Sequence, residues 1–308
     1  MFDIELRIAS LDQEQREASK KTIHELVHHL TSELKTEDLD SIIYTDTFKE
    51  DITSFQRSKN VQEGYTESSF GSAIAKVISY EEGHQQKHTV FLNSVLYWAL
   101  CDENYKNLAI HTLHHELGHV HDDSIRFQSY KPFQITRTDD IMTIASKIGE
   151  IMWMEFIADR VAITSFTESS GLRDDDVRDL ALAIVEKMDN TINEFFMEGN
   201  SYTVFIKIQE ETNLLLNITG NLLGRIHGLQ IREYLDRLRM EYYTPFLVRF
   251  SEELEHLYNT YPNFHGMSDF LPLARVIVDL WEVLGVSFDA DHEGINITIS
   301  KPSVLTSS

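Results

Sequence analysis

The chain has 308 residues, and 42% of them are hydrophobic, which is enough for a packed core in one large or two modest domains. The formal net charge is −23, so the surface repels phosphate backbones and a nucleic-acid ligand is not expected. Cys101 is the single cysteine, which excludes an intrachain disulfide and a cysteine-rich zinc site.

The start of the chain has no basic stretch followed by an apolar run, so it does not resemble a secretory signal. No apolar stretch reaches the roughly 18 residues that a membrane span needs. We therefore expect a soluble, cytoplasmic protein that does not enter a membrane. Residues 11–38 are predicted to form an amphipathic helix, because apolar residues recur at helical spacing between Ile23 and Leu34.

Short β-like segments follow this helix at residues 41–45, 73–80 and 88–93. The last two alternate apolar and polar residues around a polar connection, which predicts a hairpin. The pattern is then helical from residue 104 to about 120, polar and loop-like over 121–138, and helical again over 139–166.

The remainder of the chain is predicted to be mostly helical. Its candidate helices are 174–197, 202–223, 229–258 and 268–284, and a terminal hairpin joins 286–288 to 295–299. The expected fold class is α+β, with a domain at 1–168 that contains the small sheet and a mostly helical region at 169–308. The helical region is expected to cover one side of a cleft or to bind a regulatory partner.

A metal-binding motif occupies residues 115–119, which read His-Glu-Leu-Gly-His. Positions i and i+4 share one face of a helix, so His115 and His119 can present two imidazoles to one ion. Glu116 lies beside this pair, where it can take a proton from a metal-bound water. Gly118 costs the helix about 1 kcal/mol, which indicates that space is needed beside the second ligand.

A catalytic zinc site needs a third protein ligand. The metzincin pattern is excluded, because the position of its third histidine is occupied by Ile125. Glu155 and Asp159 are spaced i, i+4 on an otherwise apolar helical segment, and buried carboxylates need partners. We therefore expect Glu155 to be the third zinc ligand and Asp159 to accept a hydrogen bond from a ligand imidazole.

Other residues near these motifs compete for the same roles. Glu150 is a weaker third-ligand candidate, because no aspartate follows it at i+4. Residues 24–28 form a second His-Glu-x-x-His match, but its polar residues fall beside an apolar stripe and we expect a surface helix there. The remaining histidines around the first motif are expected to contact solvent or the ligands rather than the metal; they are His111, His114 and His121.

The combination of HELGH with a later helix reading Glu-Phe-Ile-Ala-Asp resembles the gluzincin class of zinc peptidases. With the preceding Val90-Phe91-Leu92-Asn93 run, residues 70–166 resemble the ImmA/IrrE-type metallopeptidases in particular. The resemblance implies a zincin-like core in which His115, His119 and Glu155 bind zinc. It also implies that Glu116 is the general base and that Asp159 contacts a zinc ligand rather than the zinc itself. It also implies that the β-run before the zinc helix is the edge strand on which a substrate aligns.

The predicted function is zinc-dependent cleavage of a peptide bond in a protein substrate, for which a regulatory protein is one candidate. Such an enzyme needs an oxyanion donor, and the candidates are His227, Tyr242, Tyr243 and His265. Two alternatives remain open. One is a catalytically inactive zincin-fold module that binds or regulates, and the other is a toxin–antitoxin or phage-defence regulator whose peptidase activity is latent.

Overall fold

The computed structural model describes residues 2–64, 67–68, 71–129, 140–167, 174–231, 235, 243–291 and 294–301. The chain divides into two compact units. The first consists of Met1–Gln128 and Val161–Gly171, and the second of Ser129–Arg160 and Leu172–Ser308. The predicted domain limits, 1–168 and 169–308, stay a prediction.

Among its described residues, the first unit contains a four-stranded mixed sheet, a separate two-stranded sheet and four α-helices. The strands are β1 (Asp3–Arg7), β2 (Leu39–Thr45), β3 (Glu67–Ser68), β4 (Gly71–Ser72), β5 (Ala75–Glu82) and β6 (Gln85–Asn93), of which β3 and β4 form the two-stranded sheet. The helices are α1 (Gln13–Leu30), α2 (Phe48–Ser58), α3 (Ser94–Leu100) and α4 (Lys106–Ser129), and a 3-10 helix spans Ala162–Ser165. The predicted hairpin is confirmed as β5–β6, whereas β1 and α2 were not predicted.

The main sheet has the strand order β1-β2-β6-β5. Strands β1, β2 and β6 are parallel neighbours, while β5 runs antiparallel to β6. The expectation that residues 88–93 form an edge strand is therefore wrong, because both sides of β6 are hydrogen-bonded to other strands. In the described part of the chain, β5 is the edge strand on this side.

Helices cover both faces of this sheet. On one face, apolar residues of α1, α3 and α4 pack against β1, β2 and β6, and Leu113, Leu117 and Val120 are the contribution from the middle of α4. On the other face, Phe48 and Ile52 of α2 pack against β2, β5 and β6. Alternate residues of β2 and β6 enter the two cores, as the two-residue period of a strand requires.

Helix α4 continues to Ser129, so the prediction of a loop from residue 121 is wrong at least as far as residue 129. The polar residues that suggested a loop form hydrogen bonds and ion pairs within the helix and with the sheet. Arg126 Nε donates to Asp122 at 2.7 Å, and the Arg126 guanidinium also binds Asp123. Asp123 accepts a further hydrogen bond from Ser79 on β5 at 2.6 Å. The rest of the predicted loop, 130–138, lies outside the described residues.

The second unit is almost wholly helical. Its helices are α5 (Ile141–Val161, of which Val161 belongs to the first unit), α6 (Asp174–Glu198), α7 (Ser201–Leu229), α8 (Thr244–Thr260) and α9 (Leu271–Val283), with a 3-10 helix at Met267–Phe270. The terminal hairpin is confirmed as β7 (Val286–Asp291) and β8 (Gly294–Ile299).

The predicted helix 229–258 is wrong at its start. Helix α7 ends at Leu229, and Gln230 follows it in the left-handed conformation that often terminates helices. Helix α8 begins only at Thr244, with Pro245 in its first turn.

The α+β fold class is confirmed at the level of a small mixed sheet and a predominantly helical chain. None of the described helices combines the length and the apolar character that crossing a bilayer requires.

Candidate metal centre

Helix α4 presents His115 and His119 on the side opposite its buried stripe. Leu113, Leu117 and Val120 enter the core below the helix, which directs the residues at 115 and 119 away from the sheet. The two imidazole rings are perpendicular, and their Nε2 atoms lie 3.0 Å apart. Nitrogens bound to one tetrahedral zinc ion at about 2.0–2.1 Å would be roughly 3.3 Å apart, so the observed spacing is close to that of a shared ion.

Glu155 lies on α5 and is oriented by α7. Its Oε1 accepts a hydrogen bond from Asn217 Nδ2 at 2.7 Å, and its Oε2 accepts one from Asn221 Nδ2 at 3.0 Å. Both carboxylate oxygens are therefore engaged by neutral amide donors. A carboxylate oxygen has two lone pairs, so accepting one hydrogen bond does not by itself prevent it from binding an ion.

One side-chain ligand atom from each of His115, His119 and Glu155 falls within 4.8 Å of the other two. Among the described residues, this is the group of His, Cys, Asp and Glu side chains that can hold a metal ion. Glu150, the competing third-ligand candidate, is buried on α5 but does not belong to the group. The donor set contains two imidazoles and one carboxylate, a combination found in catalytic zinc sites.

Glu116 is 8% exposed and follows the first histidine directly. Within the same unit, the cationic Lys76 of β5 is close enough to interact with it electrostatically. Burial lowers the pKa of the Lys76 ammonium group, and the negative charge of Glu116 acts in the opposite direction. Lys76 Nζ also donates to the Gly64 carbonyl oxygen at 2.6 Å. The general-base role of Glu116 stays a prediction.

Asp159 is buried one turn after Glu155, as its place in an apolar helix predicted. Arg225 of α7 lies beside it, with Nε 3.4 Å from Asp159 Oδ2. An arginine partner was not expected from the sequence. The predicted hydrogen bond from a ligand imidazole to Asp159 stays a prediction.

The other histidines of α4 have structural contacts. His111 Nδ1 and His114 Nδ1 lie 3.3 Å and 2.9 Å from the Ser165 hydroxyl, which connects α4 to the 3-10 helix of the same unit. His121 Nδ1 accepts a hydrogen bond from the Lys35 backbone at 2.8 Å. Burial is the main cause that lowers the pKa of His114 and of His121 to about 4. None of the three belongs to the metal-binding group.

The second His-Glu-x-x-His match lies on α1, and the expectation of a surface position is confirmed. His24, Glu25 and His28 are exposed, and the His24 ring stacks on Phe2 at a centroid distance of 4.6 Å. Ile23 and Val27 are the buried residues of α1. Among the described residues, the match at 115–119 belongs to a group that can hold a metal ion, whereas the match at 24–28 does not.

The candidate oxyanion donors have different surroundings. His227 contacts the Glu255 carboxylate through Nδ1 and lies 2.7 Å from Ser251 Oγ through Nε2, so both ring nitrogens are engaged. Tyr243 is buried with its hydroxyl 2.8 Å from Thr219 Oγ1, and burial raises its pKa. His265 is exposed, and Tyr242 lies outside the described residues. The identity of the oxyanion donor stays a prediction.

Sequence reasoning missed the residues of α7 that contact Glu155 and Asp159. They recur every four residues at Asn217, Asn221 and Arg225, which is the spacing of one helix face. This polar stripe on an apolar helix was the signal that could have identified them. Asn217 also begins a formal Asn-Ile-Thr glycosylation sequon, and its side chain contacts Glu155.

Comparison with known proteins gives no match: no protein-family model, curated protein or solved structure is similar to this chain at a significant level.

Proposed function

We propose that this chain is a metal-dependent peptidase of the zincin type, with zinc held by His115, His119 and Glu155. The observation that carries the proposal is the convergence of their three ligand atoms within 4.8 Å. In the same motif, Glu116 provides a carboxylate next to the first ligand. The proposal includes a zincin-like core.

The donor set fits zinc, although it also suits other divalent first-row ions. Two histidines on one helix face supply imidazoles whose Nε2 atoms are 3.0 Å apart. A carboxylate from a different helix supplies the third donor. Three protein ligands leave a fourth position for water or substrate, which is the arrangement of catalytic rather than structural zinc sites.

Zinc, when bound, lowers the pKa of a coordinated water toward neutrality and polarises a carbonyl oxygen. Glu116 accepts the proton of the attacking water and later delivers it to the leaving amine. A base in this role needs hydrogen-bond reach to the water and a carboxylate that is ionised before the attack. Lys76 favours the ionised carboxylate, since it places a positive charge near Glu116.

The substrate chain would align on β5 rather than on β6. Strand β6 is paired on both sides, whereas its neighbour β5 is an edge strand of the sheet among the described strands. Asn93 N–H donates to Ile74 O, and residue pairs alternate along an antiparallel ladder. The backbone groups of Ala75, Val77 and Ser79 are therefore directed away from β6, where an extended peptide can pair with them.

The test is cleavage in a native cell extract. The zinc-loaded protein is expected to generate new protein N-termini that are absent with Glu116→Gln and that disappear when a chelator removes the metal. Identical N-termini in all three samples would contradict a metal-dependent peptidase. Stoichiometric zinc without new N-termini would favour the alternative function, a zincin-fold binding module.

A further inference from the structure

Helix α7 contacts both carboxylates of the predicted metal-site helix. We propose that Asn217 and Asn221 are positioning residues that fix Glu155 in the orientation required of a metal ligand. This inference rests on the proposed metal site and adds a role for the helical region that follows residue 169. The two asparagines act through Glu155 and do not themselves bind the metal.

The hydrogen bonds divide between the two carboxylate oxygens. Asn217 Nδ2 donates to Oε1 at 2.7 Å, and Asn221 Nδ2 donates to Oε2 at 3.0 Å. Asn221 Nδ2 also donates to the backbone carbonyl of Asn217 at 2.9 Å, so both hydrogens of its amide are used. One donor on each oxygen restricts rotation of the carboxylate about its terminal bond.

The chemistry of these donors suits a metal ligand. A lysine or arginine at either position would pair with Glu155 and oppose the approach of a cation. An asparagine amide is neutral, so it orients the carboxylate and leaves its negative charge available to the ion. Residues that orient metal ligands in this way typically contribute 10–100-fold to metal affinity.

Two glycines of α7 bring the asparagines close enough to reach Glu155. A Cβ added to Gly220 would lie 3.0 Å from Glu155 Cβ and still nearer to the Met152 carbonyl oxygen. A Cβ added to Gly224 would lie 2.9 Å from Asp159 Cβ. The absence of side chains at these positions allows the helix backbones to approach closely, so that a short Asn side chain spans the gap.

The spacing of the polar residues matches across the two helices. Glu155 and Asp159 are one turn apart on α5, while Asn217, Asn221 and Arg225 follow one another by single turns on α7. Glu155 contacts the two amides, and Asp159 contacts Arg225. Arg225 therefore lies beside the carboxylate that is not a predicted ligand, and the two amides donate to the carboxylate that is.

The test measures zinc affinity by competition with a chromophoric chelator, in the full chain carrying Asn217→Ala, Asn221→Ala or both. Each single variant is expected to bind zinc about 10–100-fold more weakly. The visible spectrum of the cobalt-substituted protein should change as well, because the coordination geometry is altered. Asn213→Ala is the matched control, because it removes an asparagine one turn earlier on the same helix and should leave zinc affinity within twofold of wild type.

A double-mutant cycle separates positioning from a general structural effect. In a Glu155→Gln background, Asn217→Ala is expected to change zinc affinity by less than twofold. A full loss in that background, or unchanged affinity and cobalt spectrum in the single variants of a zinc-binding wild type, would overturn the inference and leave the metal site intact. A wild-type protein that binds no zinc would overturn the proposed metal site itself.

Discussion

The Nε2 atoms of His115 and His119 lie 3.0 Å apart, one helical turn from each other on α4. The carboxylate of Glu155 is the third donor of the same group. This relationship distinguishes residues 115–119 from the second His-Glu-x-x-His match at 24–28, in which His24, Glu25 and His28 are exposed on α1.

Glu116→Gln is expected to lower kcat by about 10²–10⁴-fold, because glutamine cannot accept the proton of the attacking water. The variant should retain stoichiometric zinc, since Glu116 is not a ligand. The measurement is turnover of an identified substrate together with elemental analysis. Glu25→Gln in the exposed second motif is the matched control, and turnover in Glu116→Gln equal to that of this control would exclude the base assignment.

His88 predicts a pH dependence of stability. It is fully buried on β6, where its Nδ1 lies 2.9 Å from Ser79 Oγ, and burial is the main cause that lowers its pKa below the ordinary 6.5. As the pH falls below 6.5, the unfolded chain binds a proton that the folded chain does not, so the free energy of unfolding decreases. Above pH 6.5 both states are neutral at this position and the effect is absent.

This dependence is measured by chemical denaturation between pH 7.5 and 5.5, comparing wild type with His88→Gln. Removing one histidine should flatten the slope by at most about 1.4 kcal/mol per pH unit, the value for a difference of one proton. Parallel slopes for the two proteins would show that His88 does not change its protonation on unfolding in this range.

Gly220→Ala and Gly224→Ala are expected to destabilise the protein by about 1–3 kcal/mol, because the added Cβ overlaps the backbone of α5. Helix propensity alone predicts the opposite sign, since alanine is favoured over glycine by about 1 kcal/mol in a helix interior. The change in unfolding free energy therefore separates close helix packing from local propensity. A stabilised Gly220→Ala variant would contradict the close approach of α7 to α5.

Val77→Pro tests the edge strand. The N–H of Val77 is directed away from β6, so proline removes a group available to a substrate without removing a bond of the β5–β6 ladder. Once a substrate is identified, KM is expected to rise while zinc content stays unchanged. Thermal unfolding near the wild-type temperature is the control for folding, and an unchanged KM in a folded variant would place the substrate elsewhere.

The sequence predicted local structure well where periodicity was strong. The hairpin β5–β6 followed from alternation around a polar connection, and α6 followed from its helical apolar pattern. At the end of α4 the polar residues predicted a loop, but Asp122 and Asp123 bind Arg126 within a helix. The polarity of individual residues does not distinguish a helix face whose charges form ion pairs from a loop exposed to solvent.

The periodicity of apolar residues cannot specify which strands or side chains pair when they lie far apart in the sequence. The sequence contains β6 as a strand, but its position between β2 and β5 depends on partners far away in the chain. Likewise, the pair Glu155 and Asp159 was identifiable from two acids on an apolar helix. Their contacts with Asn217 and Arg225 join residues more than sixty positions apart, and no local pattern links them.

The most direct test of the metal site is elemental analysis of the purified wild type, Glu155→Ala and His24→Ala after equilibration with zinc and removal of excess ion. We expect one equivalent of zinc in wild type and in His24→Ala, and substantial loss in Glu155→Ala. Retained zinc in Glu155→Ala together with loss in His24→Ala would contradict this expectation and assign the metal to the other motif.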